Sequence, residues 1–186
     1  MFEFEPLNTG NKMVEVTITS RQMQRAEDRR RDIYDSHRHR TFALAFYMTG
    51  NEIEAEKILT DTFVAAFSAA PEPSAQDVDA ALVTELRSRF SLNAQAPMAT
   101  PEYAEPGSAN LSQRNVRRTD LEEAIQTLPD SERLLFLLRD VEGYTSAAIS
   151  KLLQIPETQV NRSLLSARIR LRRALAEGQE AAAEAA

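Results

Sequence analysis

The sequence predicts an all-α protein made of two small helical domains joined by a flexible linker. Three observations lead there. Apolar residues recur at three- and four-residue spacing through two long stretches of the chain, and no convincing pair of strands appears. A stretch without apolar period, Asn93 to Asn115, carries Pro97, Pro101, Pro106 and Gly107 and separates the two. Gly and Pro then fall at the ends of the periodic segments rather than inside them.

The elements follow in order. Residues 1–19 mix β-branched and polar side chains (Val14, Val16, Ile18) and read as a loose arm or short strand. Ser20 is a candidate N-cap for a long helix reaching about Met48, with Ile33, Phe42, Leu44, Ala45 and Tyr47 as apolar positions. Thr49-Gly50-Asn51 is a stop and a turn. A second helix, about Glu52 to Ala69, spaces Ile58, Leu59, Phe63, Ala66 and Phe67 along one side, and Pro71 and Pro73 end it. A third runs about Gln76 to Leu92. Residues 20–92 therefore form one domain, a three-helix bundle, and 93–117 the linker.

In the second domain, 118–177, Thr119 opens a helix with Glu122 and Glu123 in its first turn, close to a capping box. Asp130 starts the next helix, which ends near Gly143. Thr145 caps a short helix to Leu153, and Gln154-Ile155-Pro156 is a turn. The last helix spans about Glu157 to Glu177, and the Ala/Glu tail, 178–186, is expected to be disordered.

The bulk numbers narrow the function. At 186 residues and 42% apolar content the chain can bury a core. It has no cysteine, so neither a disulfide framework nor a thiolate metal site is available. His37 and His39 are too few for a metal cluster and sit on an Arg-rich helical stretch that reads as a solvated face. No apolar run reaches the ~20 residues of a membrane span, and the N-terminus lacks the order of a signal peptide. The expected location is the cytoplasm, with no membrane partner. No paired carboxylates, Gly-rich phosphate loop or nucleophile motif point to an enzyme, and no cofactor is expected.

The charge is distributed unevenly. The whole chain is acidic, at net −6, yet from Gln159 to Leu175 there are five arginines and no acid. Val160, Leu164, Ala167, Leu171 and Leu175 form the buried stripe of that helix. Arg162, Arg170 and Arg173 fall opposite the stripe, and Arg168 and Arg172 lie to one flank. A short helix, a tight turn and a longer basic helix is the geometry that lays side chains into a major groove. The candidate DNA-binding residues are Thr158, Gln159, Asn161, Arg162, Ser163, Ser166, Arg168, Arg170, Arg172 and Arg173. The arginines suit phosphates, and the early residues suit base edges. The competing reading is a small bundle with a solvated basic face.

Leu128-Pro129, LLFLLRDVEGYT, Ala148-Ile149, Leu152-Leu153, Ile155-Pro156, Val160 and SARIRLRRAL resemble region four of bacterial sigma factors of the extracytoplasmic-function class. RTFALAFYMTGNEIEAEKILTDTF resembles region two of the same family, with Ala55-Glu56 and Thr62-Phe63 matching well. The resemblance implies that the first domain docks on the clamp helices of RNA polymerase core and helps melt the promoter, and that the second reads double-stranded promoter DNA. It implies polymerase-binding residues Glu56, Lys57, Thr60 and Asp61, and an anti-sigma factor as a further candidate partner.

The chain departs from the family pattern at named positions. Lys57 and Thr60 stand where the family usually has Asp and Gln. There is no Trp in the chain, and from Thr41 to Glu85 eight acids meet one base, Lys57. A surface that holds single-stranded nucleic acid wants stacking aromatics and cations. Only Arg87, Arg89 and Phe90 offer them locally. Asn161 and Ser163 stand where Lys and Arg are common, and Gln154 stands where a turn favours Gly, at a cost of about 1 kcal/mol if φ is positive. Two functions follow: a factor that directs polymerase to promoters, or a degenerate sigma-like protein that acts by protein contacts without initiating.

Overall fold

In a computed structural model of the chain the described residues are 10–92, 97–99 and 117–184, with side chains described over 22–92, 97–99 and 117–178. They form seven helices: α1 (Gly10–Thr49), α2 (Glu52–Ala69), α3 (Ala75–Arg89), α4 (Arg118–Gln126), α5 (Asp130–Phe136), α6 (Ser146–Leu153) and α7 (Glu157–Glu184). The end of α5 widens into a π-helical turn, Leu137–Val141. Among the described residues no helix is long and apolar enough to cross a membrane.

Local side-chain chemistry fixes the starts of α2, α3 and α6. Asn51 caps α2 by accepting the Ile53 and Glu54 N–H groups at 2.9 and 3.2 Å. Ser74 and Asp77 make a reciprocal capping box on α3, and the two Ser74 hydrogen bonds hold the Asp77 carboxyl below its ordinary range. Thr145 caps α6 on the Ala148 N–H, as its sequence position suggested. The capping box expected at Thr119 is absent. Helix α4 starts at Arg118 after Arg117, which makes no side-chain cap.

Two ends differ from expectation. Helix α1 begins at Gly10, not Ser20. No Gly or Pro lies between Asn11 and Thr49, so nothing stops the helix from extending backward, and Ser is tolerated inside a helix. Helix α7 runs to Glu184, past the expected end at Glu177, because the Gln, Glu and Ala residues of high helix propensity that follow offset the single Gly178. The arm at 1–9 and most of the linker, 93–96 and 100–116, lie outside the described residues.

Helices α1–α3 and α4–α7 form two sets that share one apolar core. Leu44, Met48, Ile58 and Leu86 of the first set join Ile125, Leu134, Leu137, Ile149 and Val160 of the second in a single buried cluster. A separate cluster, Phe63, Ala66 and Val78 with Tyr34 against them, closes the far end of the first set, where the Tyr34 and Phe63 rings meet edge-on at 4.8 Å.

Polar clamps tie the two sets further. Arg133 is buried on α5, and burial holds its guanidinium below its ordinary range, against the pull of Asp130. It donates to the carbonyls of Met48, Gln126, Leu128 and Ile125 at 2.7, 2.6, 3.0 and 3.1 Å. One cation thus satisfies carbonyls left open at the ends of α1 and α4. Gln126 adds a bond to the Tyr47 carbonyl at 2.8 Å. Gly50, at φ +65°, passes so close to Gln126 that a Cβ would meet its side chain at 3.3 Å. Glycine is needed there both for the turn and for the contact.

Candidate nucleic-acid interface

The helix-turn-helix is α6, Gln154-Ile155-Pro156 and α7. Gln154 adopts the left-handed conformation, φ 55° and ψ 41°, at the C-cap of α6. The non-Gly residue therefore carries the ~1 kcal/mol cost foreseen for that position. Ser150 Oγ donates to the Ile155 carbonyl at 2.6 Å and fixes the turn. Ile149 and Leu153 of α6 face Val160 and Leu164 of α7, so the apolar stripe of α7 lies where its spacing placed it.

The candidate DNA-binding residues divide by exposure. Thr158, Asn161, Arg162, Arg168, Arg172 and Arg173 are exposed, Gln159, Ser163 and Arg170 are half-buried, and Ser166 is buried at 1% exposure. Ser166 is thus a correction: it was expected on the open face. Its Oγ donates to Glu132 Oε1 of α5 at 2.9 Å and accepts the Ala99 N–H at 3.0 Å. Ala99 belongs to the linker, so a segment far from α7 in sequence covers that position.

The arginine stripe is also less open than its sequence implies. Arg168 grips Asp140 through two bonds of 3.0 and 2.6 Å, and the hydrogen bond to Asp140 holds its guanidinium above its ordinary range. Arg170 Nε lies 3.1 Å from Glu132 Oε2, a charge contact without hydrogen-bond alignment, and its Nη2 donates to the Pro97 carbonyl at 2.5 Å. Arg162 packs against Met98. Among the described residues Arg172 has no acid against it. Asn161 is oriented by Ser146, whose Oγ donates to Asn161 Oδ1 at 2.7 Å. A first-turn hydroxyl on α6 thus positions a candidate base-reading amide on α7.

On the first set of helices, Glu56, Lys57 and Thr60 share the exposed side of α2, flanked by Ile53 and Val64, both mostly exposed. Asp61 is half-buried and takes a 2.7 Å bond from Arg89. Arg89 also meets Glu54 at 3.4 Å and Glu85 at 3.8 Å. Arg87 donates to the Leu153 carbonyl at 2.5 Å, and Phe90 packs half-buried against the shared core. The three local candidates for holding a single strand are therefore engaged inside the fold. Their neighbours in space come from other helices, which the local sequence does not announce.

Sequence reasoning also passed over a network between the sets. Asp79 of α3, nearly buried, accepts from Arg40 of α1 and from the Tyr144 hydroxyl. Arg40 also donates to the Tyr144 hydroxyl oxygen. The π-helical turn re-aims the chain at this point: Glu142 N–H reaches back to the Leu137 carbonyl, and Tyr144 N–H to that of Leu138, both at 2.9 Å. Burial holds the Glu142 carboxyl above its ordinary range, with Arg40 opposing and Asp79 adding.

Residues 118–176, roughly a third of the chain, match the family described as Sigma-70, region 4. The match spans α4 to the middle of α7 and includes the helix-turn-helix. No curated protein matches the chain in sequence. Residues 118–176 are a sigma-70 region 4 domain, a finding that supports the resemblance to sigma factors of the extracytoplasmic-function class.

Proposed function

We propose that the chain binds RNA polymerase core and directs it to promoters, reading duplex DNA through the start of α7. A sigma-70 region 4 domain implies sigma-factor-like DNA binding and contact with RNA polymerase, and the family is not enzymatic. The observation that carries the finer reading is the placement of Thr158, Asn161 and Arg162 on the exposed first turns of α7, directly after a helix-turn-helix turn. Asn pairs with adenine edges and Arg with guanine, each worth about 1–3 kcal/mol of discrimination. Arg168, Arg170, Arg172 and Arg173 supply phosphate contacts, and Gln159, Ser163 and Ser166 line the same helix. Glu56, Lys57, Thr60 and Asp61 supply the polymerase-docking face, and α1–α3 act as region two.

The test is transcription by purified polymerase core from a pool of random upstream elements. Transcripts that require this chain, from an enriched element that changes with Asn161→Ala, are the expected result. DNA-dependent binding without transcripts would reject initiation.

A second reading has its own support. The acid-rich surface of α2 and α3 and the internal pairing of Arg87 and Arg89 favour a sigma-like protein that acts through protein contacts, an anti-sigma factor among them. Binding to polymerase core separates the two: the first reading requires it, and the second does not.

A further inference from the structure

Helix α7 turns about 100° per residue, so Arg162, Ser166 and Arg170 follow one another along one side, away from the buried stripe. Residues 97–99 lie across that side. Ala99 is 8% exposed although it lies outside any helix, and its N–H is satisfied by Ser166 Oγ at 3.0 Å. The Pro97 carbonyl takes a 2.5 Å bond from Arg170, and Met98 covers the Arg162 guanidinium. Behind Ser166 and Arg170 stands Glu132, 2% exposed, which meets both of them.

Each of these contacts uses a group that DNA would use. The Pro97 carbonyl presents a partial negative charge to Arg170, as a phosphate oxygen would. Ser166 spends its only donor on Glu132 and one lone pair on Ala99, leaving no donor for a phosphate. Met98 fills the space over Arg162 where a groove wall would sit. A duplex laid on this side of α7 would collide with the backbone at 97–99.

We propose that Pro97-Met98-Ala99 is an intramolecular cover of the recognition helix, and that the chain binds duplex DNA fully only once it is displaced. The proposal rests on the reading of α7 as the DNA-binding element. Displacement uncovers Ser166 and frees Arg162 and Arg170 from their contacts with Met98 and Pro97. A cover closed about nine-tenths of the time lowers the apparent affinity about tenfold.

Two measurements on the full chain test this separately. The chain has no cysteine, so Ser166→Cys carries a unique thiol. Its reaction with a small maleimide is expected to be slow beside that of an exposed Thr158→Cys control. It should become fast when Ala99→Asp forces a carboxylate into that buried position, or when Pro97, Met98 and Ala99 are all replaced by Gly. The second measurement is the binding of a mixed-sequence duplex, read with Ser166 intact. Ala99→Asp and the triple-Gly chain should both bind about tenfold tighter than the native chain, with a log–log salt slope steeper by about one to two units. A Ser166→Cys thiol that reacts like the control in the otherwise native chain overturns the cover. So does an unchanged affinity in both released chains. If the thiol is uncovered as expected but no form of the chain retains duplex, the DNA-binding reading of α7 fails and takes the inhibitory role with it.

Discussion

At the scale of single residues, the least visible position in the sequence carries the most structure. Arg133 sits in an apolar run, SERLLFLL, and looks like a polar interruption. In the fold it is one cation serving four carbonyls from two sets of helices. Replacing it with a side chain of similar length and no charge strands those carbonyls in a buried place. Arg133→Met should lower stability by about 3 kcal/mol, and the melting temperature by about 6–12 °C. A thermal melt of the variant checks this, and a loss under 1 kcal/mol would contradict the account. Lys57 makes the opposite case, since its side chain is exposed and its charge is its meaning. If the docking partner suits an acid at that position, Lys57→Asp should tighten binding to polymerase core about tenfold and Glu56→Lys should weaken it, since close interface charge pairs can couple by ~1.5 kcal/mol or more. Titration of the full chain against core polymerase distinguishes this from rim charges, for which neither substitution would register.

At the scale of the element, α7 shows how much of a basic stripe is held by its own fold. Arg168 is matched to Asp140 in a two-pronged pair, whereas Arg172 faces solvent. Counterion release follows cations that are available to phosphate. Arg172→Ala should therefore flatten the salt dependence of DNA binding by about one unit, and Arg168→Ala by less. Asp140→Asn, which leaves Arg168 unmatched, should strengthen binding and steepen the slope. Equal slope changes for Arg168 and Arg172 would show that the pair with Asp140 opens at no cost. The helices themselves were largely legible in the sequence. The α7 stripe, the Thr145 cap, the Asp130 start and the positive φ at Gln154 all depend on residues within a turn or two of each other. Of the two misplaced ends, the one at Gly10 lies where helix propensity continued without a breaker, and the one at Glu184 lies where α7 runs on through the single Gly178 into Ala and Glu residues.

At the scale of the whole molecule, the two helix sets are held together by polar groups whose charge depends on pH. Burial raises the Tyr144 hydroxyl above its ordinary value, the bond and charge of Asp79 add to this, and Arg40 opposes. Above the ordinary tyrosine value of ~10 the unfolded chain has lost this proton while the folded chain still holds it. The contribution is therefore complete below that pH and falls as pH rises through and beyond it. Tyr144→Phe should cost about 1 kcal/mol at neutral pH, from the bond lost at Asp79. Urea unfolding from pH 8 to 11 should show the two proteins converging at the alkaline end. Parallel curves would place the alkaline loss elsewhere.

The all-α class, the helix-turn-helix and the likeness of the C-terminal third to sigma-70 region 4 were legible in the sequence, because each rests on spacing, caps and turns that are local in the chain. Charge segregation along the last helix also nominated candidate DNA-reading residues without coordinates, whereas the candidate polymerase-docking residues came from the family resemblance alone. Only the tertiary structure decided which of those residues are open. Arg89 meets Asp61 across 28 residues, Arg40 meets Asp79 across 39, and Ala99 meets Ser166 across 67. The packing angle of whole helices sets such pairs, and one shared apolar core draws the two sets together. A charge's identity is local, but its partner is chosen by what the buried surface brings within about 3 Å of it.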